Sequence, residues 1–207
     1  MRCRKAATRP WRLILANQSA AIVSFEDESL ILVDSTDRIV GYASKDEAHN
    51  GAGILHRAFS LFIFNTNGEL LLQQRATDKR LWGGYWSNSV CSHPRQGENL
   101  EIATQRRLLE ELGFNCPLEF LYKFEYQAEF SDKGSENELC SVLIGRYDGE
   151  VAVNSNEIDD WRWIAAVNLD RELIQHPEHF TPWFKMEWKD LKQNWTGKIL
   201  QLSNKKD

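Results

Sequence analysis

Short apolar runs separated by polar turns predict a series of β-strands along this chain. The predicted strands cover residues 30–33, 39–43, 58–64, 70–74, 119–130, 139–147 and 160–164. A polar turn at residues 34–37 joins the first pair, and Asn65-Thr-Asn-Gly68 joins the second. Because Asn-Gly is a strong hairpin signal, we expect the second pair to be an antiparallel hairpin.

Three segments are predicted to be helical. Asn99 can cap a helix that runs to Leu112, and Gly113 suits the left-handed position after its end. Two further helices, over residues 169–175 and 183–195, are expected to close the chain. We find no internal repeat and no interior linker. The sequence therefore predicts one domain over residues 29–200, preceded by a poorly ordered extension (1–28) and followed by a polar tail (201–207).

The composition is that of an ordinary globular protein. The 207 residues are 42% hydrophobic and 27% charged, which is enough for one buried core. The net charge of −5 argues against a general nucleic-acid or membrane surface. No apolar run approaches the length that spans a bilayer. The four cysteines, at positions 3, 91, 116 and 140, form no CxxC pair, which favours a reducing cytoplasm.

The first residues of the chain are basic. Residues 1–25 contain five Arg or Lys and no Asp or Glu, a composition shared with transit peptides. Pro10 and the weak apolar face of this segment fit a frayed extension or a misplaced start codon better. We therefore expect a cytoplasmic protein.

Two carboxylates one residue apart are the strongest chemical signal. Side chains at i and i+2 of a strand point to the same face, so Glu136 and Glu138 converge. Cys91 and His93 converge in the same way if their segment is extended. Taken singly, such residues have ordinary explanations, as a solvated loop edge, core or surface histidines, or an inert thiol. Together they favour a metal site beside a thiol, suited to Zn²⁺, Mn²⁺ or Mg²⁺. The predicted ligands are His49, His56, His93, Glu136 and Glu138.

The helix over residues 99–112 carries a second pattern. Arg107 and Glu111 stand at i,i+4, which alone indicates only an ion pair on a solvated face. Residues 98–114, however, resemble the Nudix box, a loop and helix that present carboxylates to a metal-bound diphosphate. Two positions depart from the box, because Ser92 replaces its opening Gly and Arg107 replaces a Glu. The departure favours diphosphate binding without hydrolysis.

The box, the segment around Cys91 and Glu136-Asn-Glu138 occur together in this chain. With these motifs, residues 30–188 resemble the type I isopentenyl diphosphate:dimethylallyl diphosphate isomerases. The resemblance implies an α/β (α+β) Nudix fold, with a mixed sheet packed between helices. It also implies metal ligation by the five residues above, and a second ion, Mg²⁺, held by Glu111 and the Cys91 carbonyl. The implied diphosphate-binding residues are Lys45, Arg75, Lys79 and Arg107. Tyr126 matches the family's hydrogen-bonding tyrosine, and Trp183 matches its aromatic wall.

The implied chemistry moves a carbon–carbon double bond. Such a reaction needs one group to protonate the alkene and another to remove a proton, and Cys91 and Glu138 are the candidates. The expected partner is a small isoprenoid diphosphate, with no nucleic acid and no membrane. A Nudix diphosphohydrolase and a non-catalytic diphosphate-binding module remain as alternatives. The sequence leaves open which group protonates first, which metal binds, and whether the protein is a monomer or a dimer.

Overall fold

The computed structural model describes residues 21–204, and in this range nine strands form one mixed sheet. The strands are β1 (Ser29–Val33), β2 (Ile39–Ser44), β3 (His56–Phe64), β4 (Leu70–Arg75), β5 (Trp86–Ser87), β6 (Val90–Ser92), β7 (Leu118–Glu129), β8 (Ser135–Arg146) and β9 (Ile158–Ile164). The α-helices are α1 (Lys45–His49), α2 (Leu100–Leu112), α3 (Ala166–Gln175), α4 (Pro182–Asp190) and α5 (Thr196–Asn204). A 3₁₀ turn, Pro177–His179, precedes α4, and a π-helical turn, Leu191–Trp195, joins α4 to α5.

Strand β3 lies at the centre of the sheet. Its residues 58–64 are all buried. Because neither face of the strand is exposed, other elements must pack on both faces of the sheet at this point. β8 pairs with it in parallel along its full length, with His56 opposite Glu138. The other edge of β3 pairs with β1, β6 and β4. Cys91 on β6 and Glu138 on β8 are therefore separated by one strand.

Helices cover both faces of this sheet. Phe59 and Leu61 belong to one core, which they share with Leu108 of α2. Phe62 points to the opposite face and shares the other core with Trp183 of α4. Alternate residues of one strand thus reach two cores. The arrangement confirms the predicted mixed sheet packed between helices.

Most predicted elements are present, and α2 begins and ends as expected. Asn99 Oδ1 accepts the Ile102 N–H at 2.8 Å, and Gly113 follows the helix with φ of 76°. The helix predicted over residues 183–195 does not stop there, because the chain continues through the π-helical turn into α5. Ile199 of α5 packs against the core, which accounts for the additional helix.

Of the two predicted domain ends, only the C-terminal one lies well within the described residues. The extension over residues 1–28, with its transit-peptide-like composition, lies mostly outside the described residues. At the other end, α5 extends to Asn204, past the predicted boundary at residue 200. Across residues 21–204, no helix combines the length and apolar character needed to cross a membrane. The expected cytoplasmic location stays a prediction.

Candidate active site

A cavity of about 560 Å³ opens beside Glu136 and Glu138 near the start of β8. The predicted site residues that line it are His49, His93, Glu136, Glu138, Cys91, Tyr126, Trp183, Lys45, Arg75, Lys79 and Arg107. His56 and Glu111 lie behind its wall and are 0% and 2% exposed. The fold thus gathers residues from distant segments around one space.

Three histidines and two carboxylates form a buried cluster at this cavity. The imidazole centroids of His49, His56 and His93 lie 4.8 to 5.2 Å apart. His49 Nε2 is 2.9 Å from Glu136 Oε2, and His93 Nε2 is 2.9 Å from Glu138 Oε1. One ligand atom from each of the five residues lies within 4.8 Å of all the others.

The unpaired atoms of the cluster fit a divalent metal ion. His56 Nδ1 lies 2.7 Å from the Ile54 carbonyl oxygen, which can only accept. Nδ1 therefore carries the hydrogen, and Nε2 keeps a free lone pair. His56 Nε2 is buried without a hydrogen-bond partner, and His49 Nε2 and Glu136 Oε2, although 2.9 Å apart, do not meet hydrogen-bond geometry. Such orphaned atoms are rare in proteins, and a bound cation would satisfy them.

Burial sets the protonation of the cluster. It lowers the pKa of His56 to about 4 and that of His93 to about 3, so both rings are neutral, which is the form that can bind a metal ion. Burial also acts to lower the pKa of His49, but Glu136 outweighs it and raises the value. Burial, followed by the charge of Glu136, raises the pKa of Glu138 to about 8. The carboxylates of Glu136 and Glu138 have oxygen atoms within 4.8 Å of each other and therefore repel each other when both are charged. A divalent cation bound between them would reduce this repulsion.

Cys91 and Glu138 face the cavity from strands on either side of β3. Arg75 Nη1 donates a hydrogen bond to Cys91 Sγ at 3.2 Å. Burial nevertheless raises the pKa of Cys91 to about 11, so the resting group is a neutral thiol. The Tyr126 hydroxyl donates to Glu138 Oε2 at 2.6 Å and fixes the orientation of that carboxyl group.

Trp183 forms a rigid aromatic wall of the cavity. Its Nε1 donates to Ser87 Oγ at 3.1 Å and to Asn88 Oδ1 at 3.3 Å. Trp82 packs edge-on against it at 5.2 Å. The Arg75 guanidinium lies over the ring, 5.4 Å from its centroid. The indole cannot turn without breaking these contacts.

Two of the predicted diphosphate-binding cations, Lys45 and Arg75, are held by neighbouring oxygens. Lys45 Nζ donates to Ser24 Oγ at 2.9 Å and to Glu26 Oε1 at 3.3 Å. Arg75 Nη2 donates to the Leu81 carbonyl at 3.0 Å. Both cations thus have protein partners at the cavity wall.

Arg107, the residue that departs from the Nudix box, is almost fully buried among carboxylates. Its Nε donates to Glu111 Oε1 at 2.9 Å, and its Nη2 donates to Glu157 Oε2 at 2.9 Å. Its Nη1 donates to Glu110 Oε2 at 3.2 Å. The expected roles of Arg107 toward diphosphate and of Glu111 toward Mg²⁺ stay predictions, because here the two side chains bind each other.

Comparison with known proteins identifies the family. The Nudix domain model matches residues 54–184, well over half of the chain. Isopentenyl-diphosphate delta-isomerase 1 of Photorhabdus laumondii is 44% identical over 174 residues, which are 83% of this chain and 99% of that protein. The isopentenyl-diphosphate delta-isomerase of Burkholderia multivorans is 46% identical over 158 residues, 76% of this chain and 89% of that protein. This chain belongs to the Nudix-type isopentenyl-diphosphate delta-isomerases.

Solved structures confirm the Nudix fold of this isomerase family member. A crystal structure from Deinococcus radiodurans is 24% identical, with a TM-score of 0.60 over 72% of this chain and 90% of that chain. A MutT protein from Methanosarcina mazei Go1 is 18% identical, with a TM-score of 0.57 over 69% of this chain and 96% of that chain. At these identities the likeness concerns the fold alone.

Two parts of the cavity wall in this isomerase could not be recognised from the sequence. Glu157 contacts Arg107 and Lys79, which precede it by 50 and 78 residues, and no local sequence pattern predicts contacts over such separations. Residues 21–28 also reach the cavity, since Ile22 lines it and the Val23 carbonyl accepts from Arg107 at 3.1 Å. Ser44-Lys-Asp-Glu47, a capping box, was a usable signal for α1, which carries Lys45 and His49.

Proposed function

We propose that this protein interconverts isopentenyl diphosphate and dimethylallyl diphosphate in isoprenoid biosynthesis. The observation that carries the proposal is the placement of the Cys91 thiol and the Glu138 carboxyl on two sides of β3, facing one cavity. The names of the curated relatives support the same reaction.

The reaction adds one proton and removes another. A proton reaches C4 of isopentenyl diphosphate, the positive charge develops at C3, and loss of a C2 proton forms the C2=C3 bond. Of Cys91 and Glu138, one gives the proton and the other takes it, and the reverse reaction exchanges their roles. Tyr126 holds the Glu138 carboxyl in place through its 2.6 Å hydrogen bond.

The intermediate is a tertiary carbocation, which water would trap. Trp183 is 2% exposed and lines the cavity, with the Arg75 guanidinium 5.4 Å from its ring centroid. A desolvated cation over an indole face gains on the order of 2 kcal/mol, so Trp183 both excludes water and stabilises the charge.

The diphosphate end of the substrate anchors the alkene. Lys45, Arg75, Lys79 and Arg107 supply the positive charge for this end, so remote binding energy positions the reacting carbons. The histidine cluster would hold one divalent ion, and Glu111 with the Cys91 carbonyl would hold a second; such ions would supply positive charge beside Glu138 and the phosphate oxygens. Mg²⁺ suits the diphosphate, and Zn²⁺, Mn²⁺ or Mg²⁺ suits the cluster.

A product assay tests the proposal. The protein is incubated with Mg²⁺ and isopentenyl diphosphate, and dimethylallyl diphosphate and free phosphate are both measured. We expect dimethylallyl diphosphate and no phosphate. Steady Mg²⁺-dependent phosphate release without isomerisation would favour a Nudix diphosphohydrolase instead.

A further inference from the structure

Glu157 is a buried carboxylate at the wall of the cavity, just before β9. Its side chain is 4% exposed. Its backbone is fixed on both sides, because its N–H donates to the Asn154 carbonyl and its carbonyl accepts from Ala76 N–H, each at 2.9 Å. The carboxylate therefore extends into the site from a rigid base.

One oxygen of Glu157 contacts two cations from different parts of the chain. Lys79 Nζ and Arg107 Nη2 both donate to Glu157 Oε2, the latter at 2.9 Å. Two cations held this close repel each other, and the shared carboxylate offsets the repulsion. Lys79 and Arg107 also line the cavity beside Glu157.

The two cations depend on Glu157 to different degrees. Arg107 has two further carboxylates on its own helix, Glu110 and Glu111. Within residues 21–204, Glu157 is the one carboxylate at salt-bridge distance from Lys79. Loss of Glu157 would leave the Lys79 ammonium buried without a salt-bridge partner. Arg107 would then form salt bridges only with the two carboxylates of α2.

We propose that Glu157 is a positioning residue that holds the Lys79 ammonium and the Arg107 guanidinium side by side as a clamp for the substrate's diphosphate. The inference rests on the proposed function, because that function assigns both cations to the diphosphate.

The ionisation of Lys79 agrees with this role. Burial lowers the pKa of Lys79, and Glu157 opposes the decrease. Of the other charged groups that face it, Arg75 lowers the pKa and Glu111 raises it. Removing the Glu157 charge should lower the pKa of Lys79 further, so the ammonium would lose its proton, and its attraction for phosphate, at a lower pH.

Binding of inorganic pyrophosphate tests the clamp without any need for catalysis. Calorimetry at fixed Mg²⁺ compares wild type with Glu157→Gln, and Glu110→Gln serves as the matched control. Glu110 contacts the same guanidinium from the more exposed side of α2. We expect about tenfold weaker binding for Glu157→Gln, as for the loss of one charge-assisted contact, and a change within about twofold for Glu110→Gln.

A pH series and substrate kinetics separate positioning from a merely structural role. In Glu157→Gln, the alkaline loss of pyrophosphate affinity should begin at a lower pH than in wild type. In the isomerase assay, the variant should raise KM by a larger factor than it lowers kcat. If Glu157→Gln does not fold, Glu157→Asp keeps the charge but withdraws it by one methylene, and it should weaken binding more than Glu110→Gln does.

Several results would overturn the inference. Pyrophosphate binding by Glu157→Gln that equals or exceeds that of wild type would make Glu157 only a counter-charge, and undetectable binding by wild type would remove the clamp altogether. Failure of the proposed function looks different. In that case pyrophosphate binding would depend on Glu157, while isopentenyl diphosphate would yield no dimethylallyl diphosphate.

Discussion

The Cys91 thiol carries its proton in the resting protein, because burial raises its pKa to about 11 despite the nearby Arg75. If this thiol performs an acid or base step, Cys91→Ala should lower kcat about 10²-fold or more while the protein stays folded. Cys116→Ala is the control, since Cys116 lies in the core on the α2 face of the sheet. Turnover near that of wild type in a folded Cys91→Ala protein would end the assignment.

His56 is the cluster residue whose tautomer is fixed by a carbonyl oxygen. Its Nε2 is buried and unpaired, so His56→Ala should lose bound divalent metal and, with it, activity. Metal retained after dialysis, measured by atomic emission, checks this. Cys116→Ala is the control, because that side chain lies in the core on the α2 face of the sheet and is not part of the cluster. Equal metal content in His56→Ala and wild type would remove His56 from the ligand set.

Glu187 on α4 makes stability depend on pH. Burial raises its pKa from 4.5 to about 8, although its hydrogen bond with Ser60 acts against this. Between these two values the folded protein binds a proton that the unfolded chain has released, so the free energy of unfolding falls as pH rises. The decrease is at most about 1.4 kcal/mol per pH unit.

Glu187→Gln should remove this pH dependence. Urea unfolding of wild type and variant across the interval between pH 5 and pH 8 should show the variant gaining stability relative to wild type as pH rises. Parallel stability curves for the two proteins would show that Glu187 titrates with an ordinary pKa.

At the scale of elements, the β7–β8 hairpin positions the cluster of three histidines and two carboxylates. Gly134 in its turn has φ of 133°, and a Cβ there would lie 2.3 Å from the His49 carbonyl oxygen. Gly134→Ala should therefore destabilise the protein by about 1–3 kcal/mol or more and weaken metal binding by displacing His49. Gly51→Ala is the control, since Gly51 also has positive φ, 57°, but open space around its Cβ position. Equal stability losses in denaturant unfolding would mean that the contact with His49 is unimportant.

The sequence predicts elements well where a local signal is complete. Asn99 and Gly113 mark both ends of α2, and Asn65 to Gly68 forms the turn between β3 and β4. It fails where tertiary packing decides, as in α5, which continues past Gly197. Strands as short as β5 and β6 carry too few residues to show a period.

At the scale of the whole molecule, the parts of the site that depend on local sequence patterns could be predicted, and the parts that depend on tertiary packing could not. Glu136 and Glu138 could be paired from the strand period, and Cys91 and His93 from the same rule. The Arg107–Glu111 pair follows from helix spacing, but the contact of Arg107 with Glu157 could not be predicted, because it depends on how α2 meets a loop 50 residues away. The contribution of residues 21–28 to the cavity is likewise a product of tertiary packing.

The reaction in D₂O tests the central claim most directly. Isopentenyl diphosphate is incubated with the protein and Mg²⁺ in D₂O, and the product is analysed by deuterium NMR. Because the side chain that protonates C4 exchanges with solvent, the account predicts deuterium in the new methyl group of dimethylallyl diphosphate, with both phosphates retained. Dimethylallyl diphosphate without deuterium in that methyl group, or release of phosphate in place of isomerisation, would contradict it.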